Sequence, residues 1–220
     1  MIVLTCPHIS MIGSGAILFM APGTLDLAHQ RRIWAMADAA ASWPGVREAV
    51  PGMTNLMLVL DTQTANPSAL RAALLRTWDT AGDIGTEGRS IDIPVTYGGE
   101  YAIDLAAVSA HTGLSPREVV QLHASGEYTV FALGSSPGFA YLGGLDPRLH
   151  TPRKRVPSLC MLAGTVTIGG AQTGVSALTG PNGWNSIGFA ELEVFDPART
   201  PPALMAPGDR VRFCPDKILL

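Results

Sequence analysis

The chain has 220 residues, of which 47 % are hydrophobic and 15 % charged, and it carries a formal net charge of −3. That balance permits a sizeable buried core and argues against disorder. It also excludes the clustered Lys and Arg of a nucleic-acid footprint, since the densest basic run, Pro152 to Arg155, is short and reads as a solvated loop.

Three cysteines lie far apart with no CxxC or CxxH pairing, and five histidines are scattered with no HExxH, so no metal site is expected. Sparse thiols in odd number fit the reducing cytoplasm. The apolar N-terminus lacks a Lys or Arg n-region and is broken by Pro7, Gly13 and Gly15, so a signal peptide is not expected. No run of about 20 apolar residues follows, so no membrane span is expected either.

In chain order, "GAILFMA" reads as a buried strand. Next comes a helix with Leu27, Ile33, Trp34, Ala37 and Ala41 at helical spacing, stopped by Pro44-Gly45. "VREAVPG" and "TNLMLVLD" read as two strands joined at Pro51-Gly52, and "NPSALRAALLRTW" as a helix with Pro67 near its first turn. "IDIPVTYG" completes a β-α-β-β-α-β order, the ferredoxin-like split pattern. The polar, Gly-rich stretch from Thr80 to Ser90 suits a boundary, giving an α/β domain over 1–85 and a second domain over 86–220.

The second half opens with two short helices. Asp104 is a candidate N-cap and Gly113 a C-terminal stop for the first; Ser115, Pro116 and Glu118 form a capping-box pattern for the second. From "YTVFALG" onward, "GTVTIGG", "TGVSALTG", "NSIGFAE", "LEVFD" and "DRVRF" alternate with Gly, Pro and Asn turns, the signature of a barrel or sandwich. The fold class is therefore α+β.

Two motifs fail on mechanism. "GSSPG" matches the G-x-S-x-G nucleophile elbow, but the residue after Ser136 is Pro137, which has no N–H for an oxyanion, so a turn is expected. "GGAQTG" has Ala171 where a dinucleotide fingerprint needs its second Gly, and no Walker A lysine follows any Gly-rich loop. The candidates that remain are polar groups beside glycine turns and aromatics. His123 can be a structural hydrogen-bonder or an acid/base group. Arg153 can clamp a carboxylate or phosphate, or sit in a solvated loop. Gln172, Thr173 and Asn182 offer uncharged donors and acceptors, and Trp184 can be core or a pocket wall. No charged residue occurs between Arg155 and Glu191.

"SSPGFAYLGGLDPRLHTPR", "AGTVTIGGAQTGVSALTGPNGWNSIG" and "FDP…PPALMAPGDRVRF", in that order, resemble the carboxyltransferase C/D family, which takes in the first subunit of allophanate hydrolase, the B component of 5-oxoprolinase and KipI. The resemblance extends to "GVREAVPGMTNLMLVLD" and the linking helices. It implies an α/β N-terminal domain and a cyclophilin-like C-terminal β-barrel. It also implies a carboxyltransferase A/B-type sister subunit, a third hydrolase subunit, and ATP-dependent cleavage of 5-oxoproline to glutamate by the assembly. Alternatives within the resemblance are a non-catalytic regulator like a histidine-kinase inhibitor and a component of a carboxyltransferase or allophanate hydrolase. By position it implies His123 as the catalytic candidate and Phe139, Tyr141, Arg153, Gln172, Thr173 and Trp184 as substrate-binding candidates. Pro137, Gly138 and Gly183 are implied as structural turns. Four positions depart from the family pattern: Ser14 replaces an acidic residue, and Ser158, Cys160 and Phe189 stand where arginines are expected, removing guanidinium donors.

Overall fold

The computed structural model describes residues 4–81 and 88–220. Contacts divide the chain into two compact units, 1–86 and 87–220. The domain boundary expected at 85/86 falls outside the described residues.

The first unit runs β1 (His8–Ile12), β2 (Ala16–Met20), α1 (Leu27–Ala40), β3 (Val46–Pro51), β4 (Asn55–Leu60) and α2 (Pro67–Thr80). Local chemistry sets both helix starts. The Asp26 carboxylate accepts from the backbone N–H of Ala28 at 2.7 Å and of His29 at 3.1 Å, and the Asn66 side chain accepts from Ala69 N at 3.1 Å, with Pro67 in the first helical turn. Each helix then buries one stripe, Ile33, Ala37 and Ala40 on α1 and Leu70, Leu74 and Trp78 on α2, against Phe19, Leu56 and Leu58 of the sheet.

The sheet order is β1-β2-β4-β3, antiparallel throughout. It keeps the split arrangement, with β4 inserted between β2 and β3. The outer position, however, is filled by β1, ahead of the first helix, and not by "IDIPVTYG". That segment is β5 (Ser90–Gly98) and belongs to the barrel of the second unit, where it pairs with the C-terminal strand over its whole length. Ile93, Val95 and Tyr97 are fully buried there, more apolar surface than an outer strand of a small sheet would cover.

The second unit continues with α3 (Leu105–Thr112), α4 (Pro116–Ser125), β6 (Tyr128–Leu133), β7 (Ala140–Gly143), β8 (Ser158–Met161), β9 (Thr165–Gly169), β10 (Gln172–Val175), β11 (Gly180–Asn182), β12 (Asn185–Phe189) and β13 (Arg210–Leu219). Seven of its strands close a barrel in the order β10-β7-β6-β13-β5-β12-β9, consistent with the cyclophilin-like expectation. β8 and β11 form a separate two-stranded ribbon. The capping box of α4 is present: Ser115 Oγ accepts from Glu118 N at 3.3 Å, and the Glu118 carboxylate accepts from Ser115 N at 2.7 Å. "LEVFD" is not a strand; only an isolated bridge joins Phe195 to Ala203. Among the described residues no helix is long and apolar enough to cross a membrane.

The stripe on α2 can be tested directly. Leu74 is fully buried and its neighbour Leu75 is 38 % exposed. Leu74→Ala is expected to lower unfolding stability by about 2–5 kcal/mol in urea denaturation, and Leu75→Ala by less than about 1 kcal/mol.

Candidate functional site

The site grows out of the β9–β10 hairpin and the turn before β7. Ser136-Pro137-Gly138-Phe139 is a β-turn, with Phe139 N donating to Ser136 O at 3.1 Å. Gly138 has φ +75, and a Cβ there would lie 2.5 Å from the Val194 carbonyl, so the third position of the turn is reserved for glycine. This turn delivers Phe139 and, two residues on, Tyr141. Their rings meet edge to face at 4.9 Å.

Trp184 completes the cluster. Its ring lies 5.6 Å from that of Phe139 and 6.2 Å from that of Tyr141. It rests on β9 at Gly169, where an added Cβ would come within 2.4 Å of the indole. Asn182 Oδ1 accepts from Trp184 N at 2.9 Å and fixes the entry to β12. The 151–154 segment is pinned at both ends, by the reciprocal Thr151–Gly170 backbone bonds of 3.2 and 2.7 Å and by Lys154 N donating to Gly183 O at 2.7 Å. Between these pins, Arg153 places its guanidinium carbon 5.5 Å from the centre of the Trp184 ring.

These groups line a cleft of about 460 Å³, together with Ser135, Ser136 and the stretch Ser176–Gly183. Among the described residues that line it, Arg153 is the only charged side chain. The cleft therefore combines aromatic walls, several hydroxyls and one cation with no carboxylate in the lining to neutralise it, which suits a small anion carrying a planar or apolar body.

Of the residues singled out in the sequence, Phe139, Tyr141, Arg153, Asn182, Gly183 and Trp184 meet here, with Pro137 and Gly138 shaping the turn behind them. Gln172 and Thr173 do not line the cleft, and neither does His123. Gln172 is half-buried on β10. Thr173 and His123 are fully buried and bonded to each other inside the barrel.

His123 sits in a directed hydrogen-bond chain. Thr173 Oγ1 donates to the Thr167 carbonyl at 2.9 Å, so it must accept from His123 Nε2, 2.7 Å away. Nδ1 is then the acceptor, and Tyr97 Oη, at 2.7 Å, donates to it. Phe213 packs against the imidazole at 4.6 Å and Tyr128 at 5.4 Å. Burial pushes the His123 pKa down to about 3 and raises those of the Tyr97 and Tyr128 phenols, so all three are neutral near pH 7. A neutral imidazole with both nitrogens committed and no exposed surface holds the barrel together from within.

Ser158 and Cys160 line a different cleft, on the β8 side of the ribbon, and Phe189 stacks on Tyr101 at 4.5 Å. None of these departures from the family pattern lines the first cleft. Ser14 lies in the turn between β1 and β2 of the first unit. Two features escaped sequence reasoning. The wall from Ser176 to Pro181 was foreshadowed only by its lack of charge, whereas Asn182 beside it was among the polar candidates. Asp104 occupies the N-cap position of α3, but its side chain makes no capping bond and goes to Lys154 and Ser186, 50 and 82 residues away. No local signal marks such a pairing.

Residues 7–205 match the family described as carboxyltransferase domain, subdomain C and D, and the chain belongs to that family. It is 47 % identical over 211 residues to a protein from Escherichia coli O157:H7 named as the B component of 5-oxoprolinase, covering 94 % of this chain and 95 % of that one. The crystal structure of TTHA0988 matches with a TM-score of 0.77 at 36 % identity, over 92 % of this chain and 40 % of that chain, so the chain spans well under half of that longer protein. The Kluyveromyces lactis urea carboxylase shares the fold, with a TM-score of 0.79 at 18 % identity over 98 % of this chain and 23 % of that one.

The depressed His123 pKa sets a pH signature. Between about 6.5 and about 3 the unfolded chain binds a proton at this site and the folded chain does not, so stability falls as the pH drops through that window. The difference in unfolding free energy between the wild type and His123→Gln is expected to shrink by about 1.4 kcal/mol per pH unit below pH 6.5 and to stay constant above it, measured by urea denaturation at a series of pH values.

Proposed function

We propose that this chain is the B component of an ATP-dependent 5-oxoprolinase, working in the cytoplasm with a carboxyltransferase A/B-type sister subunit and a third hydrolase subunit. The name carried by its 47 %-identical relative supports the reading. The single structural observation that carries it is the Arg153 guanidinium held over Trp184 in a cleft whose lining is otherwise uncharged. 5-Oxoproline is a compact, nearly planar lactam with one carboxylate. Arg153 would take the carboxylate bidentately, and Phe139, Tyr141 and Trp184 would cover the ring.

The residues of this cleft do not fit ATP. A nucleoside triphosphate with its metal calls for several cations and a carboxylate, whereas the cleft offers one guanidinium and no Asp or Glu. Nucleotide handling is therefore assigned to a partner chain. The part played by this chain is to bind the substrate anion, orient its lactam and exclude water with three aromatic faces. The positioning role of His123 is indirect: with Thr173 it fixes the hairpin that carries Gly169, on which Trp184 rests.

The test is a reconstituted complex assayed for ATP-dependent release of glutamate from 5-oxoproline. Arg153→Ala is expected to raise KM for 5-oxoproline by about 10–100-fold, the range for losing a charged hydrogen-bonding partner. Unchanged kinetics in a correctly assembled Arg153→Ala complex would remove the carboxylate assignment, and a wild-type complex without activity would remove the 5-oxoprolinase reading.

A further inference from the structure

We infer that Asp104 is a positioning residue for the first cleft: through Lys154 and Ser186, its carboxylate holds Arg153 over Trp184. The inference rests on the reading of Arg153 as the group that takes the substrate carboxylate.

The Arg153 guanidinium needs such support. Its side chain is exposed, and among the described residues it forms no ion pair; its ring contact is the Trp184 indole at 5.5 Å. A cation–π contact at an exposed position is too weak to offset by itself the rotamer entropy of a long arginine side chain. The backbone therefore sets the direction of that side chain. Arg153 and Lys154 share one planar peptide unit, so fixing Lys154 restricts how the Arg153 side chain leaves the chain.

Lys154 is fixed at both ends. Its backbone N–H donates to Gly183 O at 2.7 Å, and its ammonium lies 2.6 Å from Asp104 Oδ2. The same carboxylate oxygen accepts from Ser186 N at 2.9 Å and from Ser186 Oγ at 3.0 Å, and Asp104 N donates to Ser186 O at 3.2 Å. One carboxylate thus joins the residue after Arg153 to the second residue after Trp184. Both halves of the cation–π pair are set in register by it.

Neither helix initiation nor stability accounts for Asp104. It stands at the N-cap position of α3 but makes no side-chain capping bond. The Asp104 and Lys154 side chains are 14 % and 16 % exposed, and for so sheltered a pair desolvation offsets much of the attraction. An apolar pair of like volume would stabilise as well; what the ion pair adds is a fixed choice of partner. Without the Asp104 charge, a sheltered ammonium is left unmatched. Lys154 then turns outward to water and takes the shared peptide with it.

The contact is read by nuclear magnetic resonance of the full chain labelled with carbon-13 at arginine. The Arg153 δ-methylene signal, identified by its absence in Arg153→Lys, is expected to be shifted upfield by the indole ring current. In Asp104→Asn at least half of that shift is expected to be lost, while the His123 ring signals inside the barrel stay unchanged. Lys154→Met, which keeps the apolar stem and removes the ammonium, is expected to lose it likewise, and decides the matter if Asp104→Asn does not fold. In the reconstituted complex Asp104→Asn is expected to raise KM for 5-oxoproline about three- to ten-fold with kcat little changed, and to add nothing in an Arg153→Ala background. A full ring-current shift in both variants, a loss accompanied by altered His123 signals in both, or a KM effect that persists in Arg153→Ala would each overturn the inference. If Arg153→Ala itself leaves KM unchanged, the carboxylate assignment falls and the positioning role with it. If Arg153→Ala raises KM and the Asp104 and Lys154 variants do not, the positioning role alone falls.

Discussion

The second unit depends on a neutral histidine at its centre. His123 comes from α4, yet its ring is bonded to Tyr97 of β5 and Thr173 of β10, and Tyr128 of β6 donates to its backbone carbonyl at 2.7 Å. One residue thus ties a helix to three strands of the closed barrel. An imidazolium here would be costly, because the ring is fully buried and both of its side-chain partners, Tyr97 and Thr173, are neutral hydroxyls. The terminal acceptor, the Thr167 carbonyl, is part of the β9 ladder, so strand pairing fixes the polarity of the whole chain of bonds.

That internal lock shapes the outer surface. Thr173 pairs with Ile168, and Gln172 with Gly169, in the β9–β10 hairpin. With the hairpin held from inside, the bare backbone at Gly169 becomes a platform for Trp184, and the indole in turn supports Arg153. The cleft is formed before any ligand arrives, which reduces the ordering cost of binding. Asn185 reinforces it: its Nδ2 donates to Pro152 O at 3.0 Å and to Ile168 O at 3.1 Å, joining the arginine segment to the barrel.

Much of this architecture was legible because it rests on local chemistry. Asn66-Pro67 and Ser115-Pro116 mark helix starts by satisfying orphan N–H groups, and the Gly-punctuated β runs of the second half do close into a barrel. Arg153 and Trp184 stood out from residue chemistry, Phe139 and Tyr141 came from the resemblance, and the structure brings all four into one cleft. Three partners of that wall in the motif pattern proved to lie elsewhere. Thr173 and Gln172 are adjacent on one strand, so their side chains leave on opposite faces and cannot serve one surface together. His123 followed the burial of its helix face, with Val119 and Val120. Pairings such as Asp104 with Lys154, and β5 with β13, are set by chain closure over 50 or more residues and leave no trace in local sequence.

The most direct test of this account is nuclear magnetic resonance of the chain labelled with nitrogen-15 at its five histidines, followed from about pH 8 to about pH 5. The account predicts that the His123 ring stays neutral throughout, with its proton on Nε2 in slow exchange and Nδ1 unprotonated. A His123 ring that titrates near 6.5, or that carries its proton on Nδ1, would contradict it.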